Sequence, residues 1–449
     1  MSAWRAISWW DTLRLQFYVA LPVTLWGVVA PQRLGVPLVA WLDWGRHTRA
    51  FLAALRERYG CDYLWVWFPF SWHRTLLVLD PPGIDALLAS GANFADPWLK
   101  KRALSRFVPD GVIISSDEPW RERRAFNESV LALGRPHPQR GHFARIAAAE
   151  AERLLADGRD SLVWADFQRL AERVAHQVLL GPGCIVPQAS VQLARLAGWA
   201  NWLLRHRPAF RAFHAWLGGE LVSRRGDDGA ALCPVGDAAR RMASGSAGSD
   251  LGVPSQVGFW FFVLKDAIEL HVARTLALLA VHPAAQERAC TQARAADMPT
   301  PQAIEDQRFL EACLLEQLRL WTPVPLLLRR ARQGFALPDA IAVPAQRQLL
   351  VHAAFHHRDA RQFGARADRF MPDAVADGPP LLVFSRHAQA CAGETLVRFV
   401  LKAVLAALLA RARFTLVRPT LQAGDLPLQI DHFALRLQVE RVALARGGD

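Results

Sequence analysis

Phe384-Ser385-Arg386-His387-Ala388-Gln389-Ala390-Cys391-Ala392-Gly393 has no apolar periodicity, and an apolar helical pattern follows it directly from Gly393 to Arg411. Cys391 therefore stands where an irregular segment turns into a helix. Free backbone N–H groups and the helix dipole favour an anion at such a point, and a thiolate is the form of cysteine that binds a metal. Position alone does not select that role, because a lone cysteine more often serves as a small buried hydrophobe.

Working outward, Glu316-x-x-Arg319 puts an acid and a base one turn apart on a helix read from Gln307 to Trp321, stopped by Thr322-Pro323. Exposed, such a pair is worth about 0–1 kcal/mol. The apolar runs on both sides predict burial instead, where both charges need partners. Arg369, in Ala367-Asp368-Arg369-Phe370, is the expected third member.

Further upstream, Val257 to Val281 is apolar apart from Lys265, Asp266, Glu269, His271 and Arg274, and contains no proline. A helix apolar on all sides belongs in the centre of a large core, and charges in its middle require a reason. Ser116, Asp117 and Pro119 announce another helix, and Tyr63 to Phe68 with Thr75 to Leu79 read as a hairpin. Arg224 to Ser255 reads as a long loop with a short helix. The expected fold is mainly α with small β-sheets: an N-terminal apolar segment, residues 1–50, packed on one large domain, residues 51–449, with 224–255 as the long loop.

The 449 residues are 52% hydrophobic and 21% charged, which excludes disorder and supplies a deep core. The formal net charge of +12 comes mostly from scattered arginines, without a basic tail or zinc-finger spacing. An acidic protein partner is expected, and nucleic acid is not. The 6 cysteines show neither CxxC pairs nor metal-ligand spacing. Phe17 to Ala30, 14 residues interrupted by Pro22, falls short of the roughly 20 needed to cross a bilayer. Asp11 and Arg14 interrupt any signal peptide. The expectation is a cytoplasmic chain with no membrane span.

Taken together, Glu316-x-x-Arg319, Ala367-Asp368-Arg369-Phe370, and Phe384 with Cys391-x-Gly393 resemble in order and spacing the signature of the cytochrome P450 superfamily, in its bacterial soluble type. The resemblance runs from about Arg56 to Leu416. It implies haem b with iron ligated by Cys391, and a structural triad of Glu316, Arg319 and Arg369. Trp120 and Arg124 look like the family's Trp-x-x-x-Arg, and with Arg329 they are expected at the haem propionates. Charge-assisted hydrogen bonds from arginine suit those carboxylates. Phe384, Arg386 and Gly393 complete the expected cofactor set. The implied activity is insertion of one oxygen atom from O2 into an apolar small molecule, terpenoid or lipid-like, with electrons from an acidic ferredoxin. Arg121, Arg123, Arg398 and Lys402 are the expected docking cations, and Leu264, Ile268 and Leu326 to Leu328 the expected pocket wall.

Three positions depart from the family. His387 stands where glycine is usual, and Gln389 where a basic residue is usual; Arg386 or His387 are candidates to compensate. Counting back from His282-Pro283 aligns Asp266 with the family's catalytic acid and Ala267 with its threonine. The missing hydroxyl leaves a second expectation open: a haem-thiolate protein with impaired O2 activation that uses peroxide or only binds ligand. Lys265, Glu269 and His271 are read as partners or solvent-facing residues.

Overall fold

The computed structural model describes residues 5–67, 74–156, 158–224, 233–244, 251–296 and 298–442. In chain order it opens with β1 (Arg5–Ala6), α1 (Trp9–Leu15), a π-helical turn Gln16–Ala20, α2 (Leu21–Trp26), α3 (Gly35–Trp41) and α4 (Trp44–Tyr59). Next come β2 (Tyr63–Val66), β3 (Thr75–Val78), α5 (Pro81–Ala89), β4 (Asn93–Ala95) and α6 (Trp98–Leu104). The middle holds α7 (Asp117–Leu131), α8 (Arg140–Ala156), β5 (Ser161–Val163), α9 (Trp164–Leu180), α10 (Pro187–Ala200), α11 (Arg207–Ser223) and α12 (Pro234–Ala243). Then follow α13 (Val253–Ala280), α14 (Pro283–Ala295), α15 (Pro301–Glu305), α16 (Arg308–Leu320), β6 (Leu326–Ala331), β7 (Phe335–Leu337), β8 (Ile341–Val343) and β9 (Gln348–His352). The chain closes with α17 (Ala353–His356), α18 (Ala360–Phe363), α19 (Glu394–Arg411), β10 (Ala412–Arg418) and β11 (Arg436–Arg441).

This is the mainly helical class with small sheets expected from the sequence. The predicted hairpin is β2 and β3, antiparallel with Leu64 opposite Leu77; Phe68 lies outside the described residues. The predicted break at residue 50 falls inside α4. The stretch read as a long loop contains α12, and the residues on either side of that helix, 225–232 and 245–250, are not described.

Contacts divide the chain into two compact units. The first comprises Met1–Lys101, Glu316–Cys391 and Gly424–Asp431. Its sheet runs β1-β2-β3-β9-β6-β4, and β7 pairs with β8. Alternation along the strands sends Leu76, Val78, Leu349 and Val351 to one core, and Leu77 and Leu350 to another. With both faces covered, the strands read as continuous apolar runs rather than alternating ones.

The second unit comprises Arg102–Leu315, Ala392–Ala423 and His432–Asp449. Its axis is α13, buried against α9, α11, α14, α19 and β10. Gly252 starts that helix at φ +57, and a Cβ there would lie 2.2 Å from Cβ of Asp110, so glycine is required. The antiparallel sheet β10-β11-β5 completes this unit.

Candidate functional site

Arg319 and Glu316, on α16, are both fully buried. The guanidinium grips the carboxylate through two bonds of 2.8 Å, Nε to Oε2 and Nη2 to Oε1. Its remaining protons go to the carbonyls of His357, Ala367, Arg366 and Arg369 at 2.7–3.0 Å. The third side chain is Arg366, not Arg369: Arg366 Nη2 donates to Glu316 Oε2 at 2.9 Å, while Arg369 is exposed and contributes only its carbonyl. A 3₁₀ turn, Gly364–Arg366, turns the earlier arginine inward. Burial pushes the Glu316 carboxyl up, but hydrogen bonds from Arg319 and Arg366 outweigh that and hold it below the ordinary range.

His357, which sequence reading missed, extends this network toward the cysteine. Its Nε2 accepts the N–H of Leu382 at 2.8 Å, so the proton is on Nδ1 and faces the Thr322 hydroxyl at 2.8 Å. Burial holds the imidazole neutral, well below its usual pKa. Leu382 stands two residues before the loop that carries the cysteine.

That loop is closed by the Cys391 N–H donating to the Phe384 carbonyl at 2.7 Å. Inside it Ser385 and His387 adopt φ +55 and +56, the left-handed region that favours glycine. The turn thus survives without a glycine, at a cost of about 1–2 kcal/mol for a side-chain-bearing residue. Arg386 pairs with Asp85 on α5, and His387 Nε2 lies 3.6 Å from the same carboxylate. Gln389 Nε2 donates to the carbonyl of Asn93 at 3.1 Å. Arg386, His387 and Gln389 therefore fasten the loop to its own unit.

Arg329, on β6, is buried, and its Nη2 donates to the Ser385 hydroxyl at 2.9 Å. Among the described residues no carboxylate pairs with it, and burial alone pushes its pKa down to about 10. An ionised side chain in that position costs several kcal/mol until an anion joins it. A Cβ at Gly393 would meet nothing closer than 3.8 Å, so packing within the chain does not demand glycine there. A buried cation with no carboxylate partner among the described residues, tied to the cysteine loop, is what a group bearing propionates needs.

In the second unit, Trp120 and Arg124 lie one turn apart on α7, and Arg124 pairs with Glu128. On α13, Asp266 and Ala267 are partly buried, and Lys265 Nζ meets Glu269 Oε2 at 2.5 Å. Burial, against the pull of Lys265, raises the Glu269 carboxyl. Leu264 and Ile268 are buried, whereas Leu327 and Leu328 fill the two cores of the first unit's sheet. His176, Ser190, Phe213, Phe261 and Lys265 line a narrow crevice. There His176 Nδ1 accepts the Val186 N–H, which leaves Nε2 to donate to Ser190, so this pair does not activate the serine.

Two expected docking cations do not fit that role. Lys402 is buried and bonded to Glu311 at 2.9 Å, and Arg123 is bound to Ser115 and Asp110. A helix pattern shows that such residues share a face, but not that acids elsewhere in the fold claim them. Arg121 is exposed, beside Glu118.

Comparison with known proteins matches residues 271–426 to the family model described as Cytochrome P450. Cytochrome P450 734A2 of Oryza sativa subsp. japonica is 29% identical over 421 residues, covering 81% of this chain and 75% of that protein. The cytokinin hydroxylase of Arabidopsis thaliana is 22% identical over 358 residues, 71% of this chain and 69% of its own. Cytochrome P450 4c3 of Drosophila melanogaster is 28% identical over 185 residues, 38% and 34% of the two chains. These relatives are from plants and an insect, so they lend no support to the bacterial soluble type. Among the described residues no helix is long and apolar enough to cross a membrane. The chain is thus similar to the cytochromes P450, through the family match over residues 271–426 and through relatives under 30% identical along most of its length, a likeness that indicates a haem-dependent monooxygenase.

Proposed function

We propose that Cys391 would hold the iron of a b-type haem through its thiolate and that Arg329 would neutralise one of its propionates. The observation that carries this reading is Arg329 itself: buried, without a carboxylate partner among the described residues, and tied through Ser385 to the loop of Cys391. When bound, the haem supplies reductive activation of O2 and transfer of one oxygen atom to substrate. The Glu316, Arg319 and Arg366 network, with His357, holds the start of the cysteine loop. The Phe384 carbonyl and Gly393 set its closure and clearance. Trp120 and Arg124 are the proposed further propionate donors, and Arg124 must then leave or share Glu128. Asp266 is the proposed proton carrier. Ala267 offers no hydroxyl beside it, so water or substrate supplies one.

The substrate is an apolar small molecule, terpenoid or lipid-like, consistent with the apolar Leu264 and Ile268 on α13 and with a relative named for hydroxylating a small molecule. The electron donor is an acidic ferredoxin-type protein, which the net charge of +12 favours.

The reduced carbon monoxide complex of the wild type is expected to show the red-shifted absorption band of a thiolate ligand, and Cys391→His to lose that band while retaining haem. Persistence of the band in Cys391→Ala would sink the assignment. Turnover with peroxide but not with reduced ferredoxin would select the peroxide-using variant, which the missing hydroxyl at Ala267 favours.

A further inference from the structure

Two cysteines of the second unit share one arginine. Arg224, the C-terminal cap of α11, donates from Nη1 to the Leu180 carbonyl at 2.7 Å and to Cys233 Sγ at 3.6 Å, and from Nη2 to Cys184 Sγ at 3.8 Å. Its Nε reaches Glu220 at 3.1 Å. The two sulfurs thus lie against adjacent nitrogens of one planar guanidinium, although α10 and α11 stand between them in the chain.

The backbone brings the pair together independently of that arginine. Leu180 ends α9, and a turn follows in which Gly181 and Gly183 adopt φ +104 and +80 and the Cys184 N–H donates to the Gly181 carbonyl at 3.2 Å. A Cβ at Gly181 would stand 3.9 Å from that of Cys233, so the turn carrying one cysteine rests on the other. Cys233 caps α12, its sulfur accepting the Gly236 N–H at 3.2 Å. Exposure divides the roles. Cys184 is partly exposed, whereas Cys233 is buried, and burial pushes its thiol up against the pull of the Gly236 N–H and Arg224. An oxidant from solvent therefore meets Cys184 first, with Cys233 behind it as a thiol. An accessible cysteine beside a second one is the arrangement that oxidises reversibly.

We propose that Cys184 and Cys233 are a peroxide-sensitive pair that closes to a disulfide and clamps the end of α9 to the start of α12. Hydrogen peroxide takes two electrons from the Cys184 sulfur: an S–O bond forms, the O–O bond breaks, and one water leaves a sulfenic acid behind. The Cys233 sulfur then attacks the Cys184 sulfur, the S–O bond breaks, and the hydroxyl departs with the Cys233 proton as a second water. Both cysteines end oxidised in one disulfide, and one peroxide is reduced to two waters. The bridge encloses α10 and α11 in a covalent loop, and α11 packs on α13, the helix of Asp266.

Treating the haem-loaded full chain with one equivalent of hydrogen peroxide, then alkylating and digesting it with trypsin without reductant, tests this. Fragments 174–195 and 226–240, each holding one cysteine of the pair, are expected to appear joined, and to separate with dithiothreitol. Dimedone, which labels sulfenic acids, is expected to mark Cys184 in Cys233→Ser and to leave Cys233 unmarked in Cys184→Ser. Serine is a good helix cap, so Cys233→Ser keeps the start of α12. Oxidised wild type is expected to melt several degrees above the reduced protein, a shift that neither single variant shows. Fragments that stay apart, Cys184 joined to any other cysteine, dimedone on Cys233 rather than Cys184, or a joined protein that melts no higher than the reduced one would each overturn the proposal.

Discussion

Arg319 and Arg329 are two buried arginines of the same unit, ten residues apart, and their surroundings are opposite. Arg319 spends its protons on a bidentate carboxylate and four carbonyls. Arg329 holds one hydroxyl and the carbonyl of Leu328, with no acid partner among the described residues. Burial therefore has a different meaning at each. The first is a finished structural pin, while the second is a donor set prepared for an anion that arrives from outside the chain.

Breaking the pin should give the largest effect. Arg319→Ala is expected to yield almost no soluble protein, and Arg366→Ala to cost about 3–5 kcal/mol, because each leaves Glu316 charged and under-bonded. Arg369→Ala should stay within about 0.5 kcal/mol of wild type, since its side chain is exposed. Soluble yield checks the first and urea unfolding the other two, and equal losses for Arg366 and Arg369 would undo the reassignment.

A smaller effect of mixed sign is expected at Arg329. Arg329→Met removes a buried charge that has no partner until haem binds, so the haem-free protein should melt no lower than wild type. Its haem should leave faster, by the tenfold to hundredfold that a lost charge-assisted bond of about 1.5–3 kcal/mol implies. Transfer of haem to apomyoglobin reads the second effect, and calorimetry of the haem-free protein the first. A haem-free melting point as depressed as that of Arg366→Ala would make Arg329 another pin.

The smallest effect lies in the loop that joins Ser385 to Cys391. Glycine at 387 relieves the left-handed strain, but adds freedom to the unfolded chain, so His387→Gly is expected to gain no more than about 1 kcal/mol. A loss larger than that in urea unfolding would show that the contact with Asp85 outweighs the strain.

What could be read from sequence follows the same division. Glu316 and Arg319 share a helix face, where spacing fixes neighbours, and the structure keeps them bonded, while Cys391 lies two residues before the cap of α19. Arg366 was hidden because it acts from an irregular turn, where distance along the chain does not specify direction, and Arg369 lay in the more recognisable string. His357 gave no signal, since its two bonds go to Thr322 and to a backbone N–H that no pattern marks. At the N-terminus, composition marked an apolar segment but not which of its side chains the sheet would bury.

The order of the strands has a consequence for synthesis. β3 pairs in parallel with β9, whose first residue follows about 270 positions later. At roughly 5–20 residues per second, the ribosome delays that pairing by tens of seconds. During the wait Leu76, Leu77 and Val78 have no partner on that edge. Such a high contact order slows folding and lengthens the time in which nascent chains can aggregate. A chaperone that holds the first hundred residues early would therefore raise the yield of the finished protein more than one acting on the completed chain.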